Sequence, residues 1–151
     1  AAAERRVEMC DRMAVLEALC ARRAARAAGP VARARLGALH EACENAARAR
    51  DADAYYYVNE AFHEAIDGAT ANAFMSEQTR ALRRRLKPFR RLQLRVPDRL
   101  EASLAEHAAI LAAIEARDPA AADEAMRAHV VVQGTRFDDV APQARAVAGA
   151  R

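Results

Sequence analysis

Asn59, His63, His107 and His129 are the residues of this sequence whose types and spacing allow metal chemistry. Two of them fall in one stretch, Tyr55-Tyr56-Tyr57-Val58-Asn59-Glu60-Ala61-Phe62-His63-Glu64-Ala65-Ile66. Wound as a helix, it lines up Tyr55, Val58, Asn59, Phe62, His63 and Ile66, because side chains three and four apart share a face. An amide and an imidazole thus enter an apolar stripe one turn apart, where each is costly to bury unless something satisfies it. His107 and His129 fall on comparable faces of two later helices, and the chain has only four histidines. A single histidine on an apolar face is ordinarily a core residue bonded to a backbone carbonyl. Three that converge in one bundle repel each other when protonated and are favoured when neutral and sharing a cation.

Such a ligand set is rich in nitrogen, holds one amide oxygen and leaves coordination positions open. It suits Zn²⁺, Ni²⁺, Mn²⁺ or Fe²⁺ and differs from a closed structural zinc site. An open position beside a dication attracts water or a carboxylate. Arg85 falls beside the inward row of Gln78, Leu82 and Phe89 expected for the fourth helix, where a guanidinium would anchor a carboxylate through two hydrogen bonds. Tyr55, Phe62, Gln78 and Met126 are expected to wall a compact pocket of mixed polarity. Gln133, one turn after His129, is expected to contact the ligand or support a metal ligand, with ordinary placement on its helix face as the alternative. The other cations from Arg80 to Arg95 occupy most faces and read as a solvated exterior. They lack the interleaved aromatic residues of a nucleic-acid surface. His40, beside the stripe of Leu36, Leu39 and Cys43, reads as a boundary residue outside the site.

Six helices must position these groups. Residues 5–28 carry an apolar stripe of Met9, Met13, Leu16, Leu19 or Cys20, and Ala24, closed by Gly29-Pro30. Pro30 opens a second helix to about residue 50, with Leu36, Leu39, Cys43 and Ala46 or Ala47 inward. Asp51 or Asp53 caps the third, which ends near Asp67-Gly68. A fourth runs from about 71 to 95 with Phe74, Gln78, Leu82, Arg85 or Leu86, and Phe89 inward and a kink at Pro88. The fifth spans about 98–116 with Leu100, Leu104, His107, Leu111 and Ile114 inward. Asp118-Pro119 starts the sixth, which carries Ala122, Met126, His129, Val130, Gln133 and Phe137. Residues 141–151 read as a flexible tail. The fold class expected is all-α, an antiparallel bundle with a central ligand or metal cavity, in one domain over residues 1–140.

Composition agrees. The 151 residues include only five glycines and five prolines, and 53% are hydrophobic, a helix former's balance. A net charge of +3 is too small and dispersed to argue by itself for nucleic acid. Three cysteines with no close pair point to reduced thiols in a cytoplasmic protein. No apolar run nears the roughly 20 residues of a membrane span, and no signal peptide is recognisable.

The order Tyr55, Asn59-x3-His63, Ser103-Leu104-Ala105-Glu106-His107-Ala108-Ala109-Ile110, Asp118-Pro119-Ala120-Ala121-Ala122 and Ala125-Met126-Arg127-Ala128-His129 resembles the C-terminal effector domain of FadR-type GntR transcription regulators, the FCD domain. The resemblance runs from about Val7 to Phe137 and includes the Asn72 opening of the fourth helix. It implies an antiparallel helical bundle whose cavity holds a divalent metal on Asp-x3-His and two further histidines, here Asn59, His63, His107 and His129. It also implies a small organic acid as effector, a homodimer, and operator DNA bound through an N-terminal winged helix-turn-helix. Asn59 stands where the family has aspartate, so the site is one unit more positive and its oxygen ligand weaker. Asp11-x-Met13-x-x-Leu16-Glu17 lacks an arginine common in the family's first helix. No winged helix-turn-helix is recognisable in this sequence, so a fragment of a longer regulator is expected.

The function expected is effector sensing, without catalysis: a small carboxylate completes the coordination of the metal, is clamped by Arg85, and changes how the third, fifth and sixth helices pack. The alternatives are a metal-dependent hydrolase or lyase that activates water, or a metal-free module that dimerises through its helices. The hydrolase needs a general base, and Glu60, Glu64 and Glu106 are expected to point about 100° or more away from the ligand positions beside them, leaving no spare inward carboxylate.

Overall fold

Local capping chemistry sets most of the helix boundaries. The computed structural model describes residues 2–135, with side chains described from Glu4 to Val131. It contains α1 (Ala2–Ala27), α2 (Pro30–Arg48), α3 (Ala52–Gly68), α4 (Ala73–Gln93), α5 (Arg99–Glu115) and α6 (Pro119–Thr135), and no strand among the described residues. Extended backbone at Gly29 followed by Pro30 separates α1 from α2. Asp51 caps α3 by accepting a hydrogen bond from the Ala54 amide at 2.9 Å. Asn72 does the same for Met75 at 3.0 Å, and Asp118 for Ala121 at 3.0 Å. Each such cap contributes about 1 kcal/mol. α5 begins differently: Asp98 adopts a left-handed conformation (φ 61°) and its side chain caps nothing. α4 continues through Pro88.

α1 packs on α3, α4, α5 and α6, most extensively on α6, while α2 lies against α3 and α5. The α1 seam is built from small residues. Ala14, Ala18, Ala21, Ala24 and Ala25 are all buried, so neighbouring helices meet it without bulky side chains between them. The main core joins Met13 and Cys20 of α1 to Phe62 and Ile66 of α3, Ile110 and Ile114 of α5, and Met126 and Val130 of α6. Burying a side chain such as Phe62 or Ile114 contributes about 2 kcal/mol. A second cluster gathers Cys43, Tyr55, Tyr56, Leu94 and Leu100 at another part of the bundle.

Two helix faces differ from expectation. The buried side of α4 consists of Met75, Ser76, Thr79, Arg83, Leu86, Arg90 and Gln93. Phe74 is 73% exposed, and Gln78 and Arg85 are exposed as well. The apolar residues of α4 had pointed to a face rotated by about one residue from the real one, because two long arginines occupy the interior in their place. On α1, Leu19 is exposed and Leu16 half-buried, whereas Glu17 is 1% exposed. Gln133, Phe137 and the tail of residues 141–151 lie outside the described residues.

Candidate metal centre

The third, fifth and sixth helices each bring one imidazole to a common point. His63, His107 and His129 are each at most 1% exposed, and each offers a ring nitrogen such that these atoms lie within 4.8 Å of one another. The Nε2 atoms of His63 and His129 face each other at 3.3 Å. A tetrahedral zinc with Zn–N bonds of 2.0–2.1 Å sets its nitrogens about 3.4 Å apart, so this pair already has the spacing of two ligands on one ion. His107 stands edge-on to both, with ring centroids at 5.3 Å from His63 and 4.8 Å from His129. It stacks on Phe62 at 4.7 Å, which fixes its plane.

The centre and the turn before it hold orphaned polar atoms. Neither ring nitrogen of His107 has a hydrogen-bond partner among the described residues, nor does Oδ1 of Asn59, which is 3% exposed one turn before His63. Buried polar groups left unpaired cost about 1–3 kcal/mol each. A cation accepting the lone pairs of the imidazoles and of the Asn59 amide oxygen would remove that cost, so the residues present fit a divalent metal. His40 remains outside, paired with Glu44 at 3.6 Å on the same helix.

The FCD domain model matches residues 8–131. The chain belongs to the FCD domain family. This is the helical effector domain of GntR-type transcription regulators, a ligand-sensing regulatory domain. No curated protein matches the chain in sequence. Among solved structures it is similar to E. coli McbR/YncC, with a TM-score of 0.80 and 20% identity over 87% of this chain and 67% of that one. At that identity the likeness is one of fold.

Several charged residues surround the histidines of this FCD domain that periodicity did not single out. Glu17 of α1 receives Arg83 Nε at 2.8 Å and Nη2 at 2.7 Å on its Oε1. Its other oxygen lies 3.3 Å from His63 Nδ1. Arg83 turns its Nη1 to Asp67 Oδ2 at 2.8 Å. On the other side, Arg99 donates through Nη1 and Nη2 to the two oxygens of Glu106 at 3.1 and 2.7 Å, and Glu106 Oε2 lies 2.6 Å from His129 Nδ1. Glu106, beside His107 in sequence, reaches His129 of the neighbouring helix. One expectation is corrected here. An inward carboxylate does exist, on α1. Glu17 falls in the row Met13, Glu17, Cys20, Ala24, so its position was open to the periodicity. What hid it is that its partners lie 46 and 66 residues away, at His63 and Arg83.

On α4 it is Arg83 and Arg90 that turn inward, where Arg85 had been expected. Arg90 is 5% exposed; Nη1 lies 3.2 Å from Glu60 Oε1, and Nη2 makes no hydrogen bond among the described residues. With Asn59, Gln93, Leu94 and Arg99 it lines a cavity of about 10 Å³, the space of a single water. Tyr55 is fully buried with its hydroxyl donating to Ser103 Oγ at 2.9 Å, and stacks on His107 at 6.3 Å. It therefore walls the centre, whereas Gln78 lies on the outer face of α4.

Electrostatics keep the imidazoles neutral near neutral pH. Burial, then the neighbouring His129 and His63, holds His107 well below its ordinary pKa. Burial lowers His63 against the pull of Glu17, and lowers His129 to about 4 against its hydrogen bond with Glu106. Burial works against the carboxylates too, but contacts with His63 and Arg83 hold Glu17 well below the ordinary range, and hydrogen bonds with His129 and Arg99 bring Glu106 to about 2. Neutral imidazoles beside ionised carboxylates are the protonation states that metal binding requires.

Proposed function

We propose that this FCD domain senses a small carboxylate through a divalent cation held by His63, His107, His129 and Asn59. The observation that carries the reading is the convergence of His63, His107 and His129, whose ring nitrogens lie within 4.8 Å of one another, with both nitrogens of His107 unpartnered among the described residues. The nitrogen-rich set suits Zn²⁺, Ni²⁺, Mn²⁺ or Fe²⁺. Asn59 supplies an uncharged oxygen, so the centre keeps its full dipositive charge toward an anion. A cation would supply one open coordination position; the chain supplies the walls and a counter-charge. Tyr55 and Phe62 stack on His107 and set the apolar side, and Arg90 presents an Nη2 with no hydrogen bond of its own. The cavity beside Asn59 is water-sized, so an effector must displace Arg90 or part α4 from α3. That movement is how binding would be reported along the bundle, as a differential affinity for the opened packing.

In the whole regulator this domain would act as a homodimer, and operator DNA would be read by a separate winged helix-turn-helix domain. A hydrolase or lyase is the weaker reading. The two carboxylates beside the histidines, Glu17 and Glu106, are each already held by an arginine, Arg83 and Arg99, and carboxylates held so far below their ordinary pKa are poor general bases.

The test is thermal unfolding of the zinc-loaded protein across a panel of mono- and dicarboxylates, repeated in chelator. The reading predicts that at least one acid raises Tm only when the metal is present. A panel with no response, or an equal response in chelator, would overturn it.

A further inference from the structure

Which nitrogen of each histidine carries the proton decides whether the centre can hold a cation at all. The facing Nε2 atoms of His63 and His129 can be read in two ways. One ring donates to the other across 3.3 Å, or both present lone pairs. The first arrangement is a closed hydrogen bond with no room for metal; the second is an empty ligand pair. The opposite edges of the rings settle it. Each Nδ1 faces a glutamate, and each glutamate is held by an arginine from its other side. The two chains are Arg83–Glu17–His63, from α4 to α1 to α3, and Arg99–Glu106–His129, from α5 to α6. A guanidinium cannot lose its proton, and a carboxylate ion-paired with it only accepts hydrogen bonds. At His129 the imidazole must then donate from Nδ1 across 2.6 Å, which leaves its lone pair on Nε2. At His63 the 3.3 Å contact with Glu17 is not a formed hydrogen bond, but the ionised carboxylate facing Nδ1 favours the same proton position.

We infer that Glu17 and Glu106 are positioning residues that fix His63 and His129 in the Nδ1–H tautomer, each backed by a buried arginine, so that both Nε2 lone pairs point at one cation. The inference rests on the metal reading above for its purpose but not for its geometry. His107 has no such support, since neither of its nitrogens has a hydrogen-bond partner among the described residues. Its plane is set by the stack on Phe62 and Tyr55 and by its edge-on contacts with His63 and His129. The centre therefore has two imidazoles with an assigned direction and a third free to present either nitrogen. Support of this kind orients a ligand and raises its basicity, and its loss typically lowers metal affinity 10- to 100-fold.

The experiment reads tautomers directly. Long-range ¹H–¹⁵N spectra of the chelator-treated protein distinguish Nδ1–H from Nε2–H for each ring, and Zn²⁺ titration of the same samples gives affinity. Glu106→Ala is the variant of choice, because the Glu106 side chain is 23% exposed and water can enter where it stood. The wild type is expected to show Nδ1–H at both His63 and His129. In Glu106→Ala, His129 alone should lose that signature, and Zn²⁺ affinity should fall roughly 10- to 100-fold. Glu106→Gln, whose amide oxygen can still accept from Nδ1, should restore part of both. A contribution to packing alone would lower Tm without moving one histidine's tautomer. The inference is overturned if His129 stays Nδ1–H in Glu106→Ala, or if the wild type already shows Nε2–H at either ring. A wild type with the expected tautomers but no Zn²⁺ uptake would support the positioning role and fault the metal reading instead.

Discussion

The two flanks of the histidine centre use the same three residue types in different settings. On one flank, Glu17 and Arg83 are 1% and 2% exposed, and the chain of contacts ties α1, α3 and α4 together and continues to Asp67. On the other, Glu106 reaches the edge of the bundle and its contacts with Arg99 and His129 join α5 and α6. The buried flank has the looser contact with its histidine, 3.3 Å against 2.6 Å. Depth and histidine contact are therefore separated in this molecule: the deep flank organises the fold around the centre, and the shallow flank grips its ring. A buried ion pair gains little over an apolar pair but is costly to break by halves, so the flanks should respond very differently to the same deletion.

The largest effect should come from Glu17→Ala. It strands Arg83 in the interior and should cost about 3–5 kcal/mol in urea unfolding. Glu106→Ala, with water at hand, should cost about 2 kcal/mol. Equal losses would erase the distinction between the flanks.

Acid should act next. His129 has its folded pKa lowered from 6.5 to about 4, so the folded protein takes up a proton less readily than the unfolded chain. Its contribution to stability is whole above pH 6.5 and is lost as pH falls through 6.5 towards 4. The metal-free domain should lose roughly 2 kcal/mol between pH 6.5 and 5 from this histidine, and His63 and His107, lowered for the same reason, add in the same direction. Stability that holds flat over that interval would mean the imidazoles are not buried neutral.

Restoring a carboxylate, Asn59→Asp, adds a charged ligand and should tighten Zn²⁺ about tenfold in a competition titration, or about 1.4 kcal/mol. No change would remove residue 59 from the ligand set. The smallest effect sharpens the assignment on α4. Arg85→Ala should shift stability by less than about 0.5 kcal/mol, as expected of an exposed site, and leave any carboxylate response intact, whereas Arg90→Ala should abolish that response.

Much of this was legible in the sequence. Asp51, Asn72 and Asp118 mark helix starts by chemistry that acts over three residues, and the 3.6-residue period puts Asn59, His63, His107 and His129 inward without knowledge of neighbours. The period failed where charge is buried. On α4 the interior positions 79, 83, 86 and 90 hold threonine, two arginines and a leucine, so the apolar count favoured the wrong face and with it Arg85 and Gln78. Glu17 and Arg83 are each implausible in a core alone, and only the contact between α1 and α4 makes them compatible. That contact is a tertiary fact, carried by no local pattern.

The central claim is a shared cation, and metal content measures it most directly. Protein purified without tag or chelator should carry a near-stoichiometric divalent transition metal by elemental analysis, and His107→Ala, folded to the same helix content, should carry little. A wild type that arrives metal-free and takes up no Zn²⁺, Ni²⁺, Mn²⁺ or Fe²⁺ on titration would contradict the account.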